Sequence, residues 1–260
     1  PVAVVLNADS LSDAQMADFA RWTNLSETTF VLKPQSPEAD YRLRIFTTLN
    51  ELPFAGHPTL GSCHAWLEAG GVPRGEEIVQ ECAAGLIRIR RQGEQLAFTA
   101  PPLVRSGGVE HELLQRICRG LGIEPQTVVQ ARWADNGPGW VALLLGDREQ
   151  VLALKPDYAQ LSGLAIGVVA PWSTERDGDE AQFEVRAFIA GEGMPEDPVT
   201  GSLTAGLAQW LIGEGLAPSC YVASQGTAMG RAGRVSIEQV GADIWVGGLA
   251  VTCISGQLHL

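Results

Sequence analysis

Phe54–Ala69 reads FAGHPTLGSCHAWLEA, and Pro198–Gly213 reads PVTGSLTAGLAQWLIG. Sliding one over the other by 144 residues puts Trp66 on Trp210, Leu67 on Leu211 and Gly71 on Gly215. In each copy a glycine-containing turn leads into small and apolar residues. Neither Leu52–Leu67 nor Pro198–Gly213 contains an Asp, Glu, Lys or Arg. A helix that is apolar all round is a buried helix, and its first backbone N–H groups must point at something, often an anion. One such helix per half predicts an internal duplication: two similar lobes, each built on a central helix, with a ligand at the seam.

The flanking patterns are those of strands. Tyr41, Leu43 and Ile45 alternate with Arg42 and Arg44, the period of a half-buried strand. Further strands are expected at 28–32, 78–82, 86–91 and 96–99, and in the second half at 127–133, 140–145, 165–170, 183–189, 221–224, 234–239, 244–246 and 250–254. Ser12 and Gln15 have capping-box spacing for a helix carrying Met16, Phe19 and Trp22 and stopped at Asn24. Another helix is expected over 110–119. The two repeated helices are expected at about 58–69 and 202–213. Strands gathered round one helix, with no βαβ alternation, give an α+β fold of mostly antiparallel sheets. Pro101-Pro102 marks a boundary between a first lobe, 1–102, and a second, 103–260, with residues from about 250 returning to the first.

Composition narrows the function. The 260 residues are 45% hydrophobic and 18% charged, enough apolar matter for real cores. A net charge of −12 argues against nucleic acid or an anionic membrane surface as partner, since both call for fields of Lys and Arg. It leaves room for a small anion held by helix ends. The five cysteines are odd in number and never in CxxC spacing, so neither a zinc site nor a disulfide framework is expected, and a reducing cytoplasm is the default. No apolar run reaches spanning length. GxGxxG, P-loop, GxSxG and HExxH patterns are absent, so no nucleotide cofactor, serine triad or thermolysin-type zinc site is indicated. The chain opens at Pro1 directly in strand-like VAVVL, which suggests a preceding segment.

Three positions are candidates for chemistry. Glu27 lies in NLSETTF, where it is either a carboxylate at a strand end or an acid/base; the TTFVL that follows is strand-forming, which argues against a capping box with Asn24. His57, in AGHP, stands at a helix start as either a capping histidine or a donor facing a ligand. Asp197, in EDPVTGS, is either an N-cap or an acceptor for a substrate amine or hydroxyl. Gly201 allows close backbone approach and Ser202 adds a hydroxyl. His64 reads as a core or sub-surface residue, and Cys63 beside it faces away from it.

Taken together, NLSETTFVL, ELPFAGHPTLGSCHAWLE, EDPVTGSLTAGLAQWL and SQGTAMGRAGR, in this order, resemble the phenazine-biosynthesis PhzF-like family over essentially the whole chain. The family's opening strand and turn would precede Pro1. The resemblance implies a diaminopimelate-epimerase-like fold of two pseudo-symmetric lobes with the site in the cleft, and it implies a homodimer. Two-base epimerases of that fold carry a cysteine at each helix start; the corresponding stretches here show Ala55 and Asp197, so a thiol pair is not expected. By the family pattern Glu27 is the proton shuttle, His57 and Asp197 act with it, and Gly56, Gly201 and Ser202 bind substrate. No metal and no cofactor is implied. The implied activity is isomerisation of a small carboxylated metabolite of the trans-2,3-dihydro-3-hydroxyanthranilate type. A racemase using Glu27 and Asp197 as opposed bases, and a non-catalytic binding homologue, are the alternatives.

Overall fold

Ser12 and Gln15 form the capping box: the Gln15 N–H donates to the Ser12 hydroxyl at 3.3 Å and the Ser12 N–H donates to the Gln15 carboxamide at 3.0 Å. The helix they open, α1 (Asp13–Thr23), ends on Asn24 in the left-handed region at φ 53°. Met16 and Ala20 are buried, whereas Trp22 is 79% exposed and only stacks on Phe19. The apolar stripe of α1 is therefore narrower than its sequence pattern. The computed structural model describes residues 1–190 and 195–259. The chain divides into two compact units, Pro1–Thr99 with the tail from Gly247, and Ala100–Val246.

The first unit contains β1 (Val2–Val5), α1, β2 (Glu27–Leu32), β3 (Tyr41–Phe46), β4 (Glu51–Leu52), α2 (Gly56–Glu68), β5 (Ile78–Cys82), β6 (Gly85–Gln92) and β7 (Gln95–Thr99). Its sheet order is β1-β2-β3-β5-β6-β7, with β4 paired to β3. The second unit contains β8 (Arg105–Gly108), α3 (His111–Leu121), β9 (Val128–Asp135), β10 (Trp140–Leu145), α4 (Arg148–Ala153), β11 (Ala165–Pro171), α5 (Thr174–Asp177), β12 (Phe183–Ile189), β13 (Glu196–Asp197), α6 (Gly201–Gly213), β14 (Cys220–Gln225), β15 (Gly233–Val240) and β16 (Asp243–Gly248). Its order is β8-β9-β10-β11-β12-β14-β15-β16, with β13 paired to β12. The class is α+β.

The duplication is legible in the pairing sense. β1/β2 is parallel, β2/β3 antiparallel, β3/β5 parallel and β5/β6 antiparallel. β10/β11, β11/β12, β12/β14 and β14/β15 repeat those four senses in order. The second unit adds β8 and β9 ahead of the repeat. The repeat is of 145 residues, one more than the tryptophans suggest. At that offset β4 falls on β13 and α2 on α6, and Glu51, Pro53, Gly56, Thr59, Gly61 and Gly70 fall on Glu196, Pro198, Gly201, Thr204, Gly206 and Gly215. The helix ends confirm it. Gly70 (φ 92°) and Gly215 (φ 70°) are the left-handed residues that stop the two helices. The next N–H in each copy, of Gly71 and of Leu216, reaches back to the carbonyl of Trp66 and of Leu211. Trp66 is thus equivalent to Leu211, and its match to Trp210 is coincidental.

Each repeated helix packs on its own sheet, α2 against β1, β2, β3 and β7, and α6 against β9, β10 and β15. Because α2 touches strands at both ends of its sheet order, that sheet curls round it. Absence of charge did not enclose both helices equally. Gly201–Ala208, Trp210 and Leu211 are buried in α6, but in α2 only Gly56, Pro58, Thr59, Ser62 and Cys63 are. On the open side of α2, half-buried His64 bonds the Thr252 hydroxyl at 3.0 Å. Thr252 belongs to a tail that is irregular and exposed, so the strand expected at 250–254 is not formed. The outer sheet faces carry separate cores, α1 with Phe30, Leu32 and Phe46, and α3 and α4 with Leu143, Ile166 and Phe188.

Candidate active site

Side chains of a strand alternate between faces, and the two faces of β2 have different neighbours. Phe30 and Leu32 pack with α1, and the Thr28 hydroxyl meets that of Thr23 at 2.8 Å. Glu27, Thr29 and Val31 share the other face, toward α2. The buried hydroxyls of Thr29 and Ser62 meet at 2.7 Å, which pins β2 to the second turn of α2. Two residues back along β2 is roughly 7 Å, and five residues back along α2 is also roughly 7 Å. Glu27 and His57 therefore arrive together. Glu27 Oε2 lies 3.0 Å from His57 Nε2, with the two side chains 14% and 19% exposed and both of these atoms closed off from solvent.

His57 is the second residue of α2. The N-cap is Ala55, which offers no capping side chain, and the first helical bond runs from Thr59 N–H to Ala55 O at 3.1 Å. Pro58 has no N–H, so the amides of Gly56 and His57 stand outside the helical ladder. A carboxylate and an imidazole in contact at the positive end of a helix form an acid/base pair with polar N–H groups beside it.

The second unit repeats the arrangement with other side chains. The N-cap of α6 is Thr200, again without a side-chain cap, and Thr204 N–H makes the first helical bond to Thr200 O at 3.0 Å. The amides of Gly201, Ser202 and Leu203 lie outside that ladder. Gly201 occupies the place of Gly56, and Ser202 that of His57. Ser202 is buried: its hydroxyl accepts from the Trp140 indole N–H at 3.0 Å and its carbonyl from the Asn136 amide at 2.8 Å. Asp135 accepts the Gly137 and Gly139 N–H groups at 2.7 Å each and shapes the turn that delivers Asn136 and Trp140.

Asp197 does not cap α6. It is in β13, three residues before the cap, and accepts the Thr200 hydroxyl at 2.6 Å. The residues at the two helix starts are accordingly Ala55 and Thr200, where the sequence suggested Ala55 and Asp197; neither is a cysteine. Cys63 is fully buried about two turns into α2, and burial pushes its thiol up to about 12. Glu27, His57 and Gly56 thus gather in the first unit, and Asp197, Gly201 and Ser202 gather in the second.

Sequence reasoning passed over Thr200, Gln225, Trp140 and Asn136. Gln225 stood within SQGTAMGRAGR, but nothing in a string of residues shows that a buried glutamine supports a helix start 25 positions away. Among the described residues no group of three or more His, Cys, Asp or Glu is placed to hold a metal ion. Among them, too, no helix is long and apolar enough to cross a membrane.

Residues 1–256 match the model of the family described as phenazine biosynthesis-like protein. The chain is 37% identical over 224 residues to trans-2,3-dihydro-3-hydroxyanthranilate isomerase of Pseudomonas fluorescens, covering 83% of this chain and 75% of that one. It is 37% identical over 281 residues to antisense-enhancing sequence 1 of Schizosaccharomyces pombe, covering 99% and 92%. The crystal structure of a PhzF-family phenazine biosynthesis protein from Enterococcus faecalis superposes with a TM-score of 0.81 at 26% identity, covering 100% and 93%. With the repeated strand–helix units, the paired helix starts and these matches in agreement, the chain belongs to the phenazine biosynthesis-like (PhzF) family and is an isomerase.

Proposed function

We propose that the protein moves a proton between two carbons of a small carboxylated substrate of the trans-2,3-dihydro-3-hydroxyanthranilate type, with Glu27 as the shuttle and no cofactor. The observation that carries this reading is the 3.0 Å contact of Glu27 with His57 at the start of α2. The Glu27 carboxylate takes the proton from an acidic C–H, and the electron pair left behind spreads into the substrate π-system. The carboxylic acid so formed returns the proton to another carbon, so one group serves both steps and no electrons leave the substrate. His57 hydrogen-bonds the ring substituent. Asp197 accepts from the substrate amine. The amides of Gly201 and Ser202 hold the substrate carboxylate and stabilise negative charge as it develops, with Gly56 giving backbone access at the other helix start.

The test is NMR in D2O with trans-2,3-dihydro-3-hydroxyanthranilate, run on the protein and on Glu27→Gln. The reading requires isomerisation that is lost in the variant, with protium at the new carbon where Glu27 returns the proton it took and deuterium only where that acid exchanges with solvent first. Full turnover by Glu27→Gln removes the shuttle role. No turnover by the intact folded protein sends the substrate search to other small carboxylated amines.

A further inference from the structure

Gln225, at the end of β14, is 1% exposed and spends its whole carboxamide on the loop between β13 and α6. Its Oε1 accepts the Thr200 N–H at 3.0 Å. Its Nε2 donates to the Asp197 carbonyl at 2.9 Å and to the Thr200 hydroxyl oxygen at 2.9 Å. The orientation of an amide is an assignment, but here two backbone groups decide it. A peptide N–H needs an acceptor and a peptide carbonyl needs a donor, so the carboxamide cannot be reversed without breaking both bonds. The direction of the next bond follows. Thr200 Oγ1 already accepts from Gln225, and its one hydrogen goes to Asp197 Oδ2 at 2.6 Å. The result is a one-way chain, Gln225 to Thr200 to Asp197, ending on a carboxylate.

The chain is held rigidly. At Gly226, φ 86°, a Cβ would lie 2.8 Å from Pro198 O, and at Gly233 one would lie 2.7 Å from Gln225 O, so the strand end is pressed onto the residue after Asp197. We propose that Gln225 is a positioning residue of the isomerase, acting through the Thr200 hydroxyl to hold the Asp197 carboxylate in a fixed accepting geometry for a substrate amine. This rests on the reading that places Asp197 in the isomerase site. The first unit has no counterpart, because Ala55 stands where Thr200 does and Leu52 where Asp197 does.

The experiment reads Asp197 directly. The side-chain carboxyl resonances of 13C-labelled Asp are titrated in the full protein, and Asp197 is identified as the signal missing from Asp197→Asn. A charge-assisted hydrogen bond favours the ionised form, so Thr200→Val, of equal size, raises the Asp197 midpoint by about one pH unit. Thr200→Ser keeps the wild-type midpoint. Gln225→Leu also raises it, and raises it less in the Thr200→Val background than alone, because the bond to the Thr200 hydroxyl is then already lost and only the bond to the Asp197 carbonyl remains to be broken. Among the described residues, the charged groups on the neighbouring elements are Glu184 and Arg186 of β12, Glu196 of β13, which takes up Arg186, and Arg231 of the turn after β14, and these variants leave all four in place. A merely structural role for Thr200 and Gln225 lowers the melting temperature without moving the midpoint.

Superimposable Asp197 titrations in wild type, Thr200→Val and Gln225→Leu overturn the chain. Should Gln225→Leu not fold, unchanged titration in Thr200→Val alone does so. The site assignment is judged separately: if Asp197→Asn retains full isomerisation, Asp197 leaves the isomerase site, whereas a midpoint that does not move leaves that assignment intact and removes only the relay.

Discussion

The Arg186 guanidinium grips the Glu196 carboxylate through two parallel hydrogen bonds of 2.8 Å each, Nε to Oε1 and Nη2 to Oε2, with the two side chains 6% and 10% exposed. The first unit repeats the grip between Arg44 and Glu51, at 2.7 Å for both bonds. In each copy the guanidinium also lies over a phenylalanine two residues on, Phe188 at 4.8 Å and Phe46 at 5.0 Å. The fork fastens the short strand that leads into the repeated helix, so it sets the direction in which the chain enters the helix start. In the second unit that short strand carries Asp197.

The two forks differ in environment, and the cost of breaking them should differ accordingly. Glu196→Ala leaves Arg186 buried without its carboxylate and is expected to cost about 3–5 kcal/mol. Glu51→Ala breaks a fork whose carboxylate is 37% exposed and whose arginine also reaches Asp13, and about 0–1 kcal/mol is expected. Urea unfolding of the two variants compares them directly. Equal losses would show that the fork energies do not depend on burial.

Gly206 and Gly61 occupy equivalent places, one on each repeated helix, where the helix meets its sheet. A Cβ at Gly206 would lie 2.2 Å from the backbone oxygen of Ala134, which the strand ladder holds in place; a Cβ at Gly61 would lie 2.7 Å from a methyl of Val2. Gly206→Ala must push α6 off β9 and is expected to cost about 3 kcal/mol or more, the upper end for overpacking. Gly61→Ala needs only a side-chain shift in β1 and should cost about 1 kcal/mol. Thermal unfolding of the pair decides it, and a milder loss at Gly206 than at Gly61 would contradict the packing described.

The duplication and nearly all the long strands were readable because they rest on period and on punctuation that local chemistry enforces. The offset was misread by one residue because Trp66 and Trp210 are conspicuous, while the residues that share a structural job, Gly70 and Gly215, are small. β8 was missed since Arg105–Gly108 is exposed throughout and has no apolar face to reveal it. β13 was missed since Asp-Pro before a helix reads as a cap. The strand expected at 250–254 failed because apolar alternation alone does not supply a pairing partner. Glu27 and His57 could be named from sequence, but their contact depends on Thr29 and Ser62, whose meeting is a property of the fold.

High pH should destabilise the protein through its buried thiol. Burial holds Cys63 protonated to about 12 in the folded state, against 9.0 for the unperturbed thiol. Above pH 9 the unfolded chain loses a proton that the folded chain keeps, so stability is complete below about 9 and falls up to about 12. The slope from this one group approaches about 1.4 kcal/mol per pH unit. Tyr41 and Tyr221, also raised by burial, add to the alkaline loss at higher pH. Denaturant midpoints between pH 8 and 10.5 for wild type and Cys63→Ala provide the check. Wild type should fall more steeply, and parallel curves would mean that Cys63 ionises freely in the fold.

Shortening Glu27, the proposed shuttle, tests geometry apart from charge. Glu27→Asp keeps a carboxylate at the head of β2 but withdraws it by one methylene from its position 3.0 Å from His57. Proton transfer tolerates little misplacement, about 1 Å being enough for a loss on the order of 100-fold. The groups assigned to substrate binding, Asp197, Gly201 and Ser202, lie in the other unit and are untouched. Glu27→Asp is therefore expected to lower kcat about 100-fold while KM stays within a few-fold, and His57→Phe, which removes the hydrogen bond proposed for the substrate, should alter both. Steady-state kinetics with trans-2,3-dihydro-3-hydroxyanthranilate, beside near-ultraviolet circular dichroism to establish that the variants are folded, measures the split. If Glu27→Asp raises KM and spares kcat, Glu27 holds the substrate and some other group moves the proton.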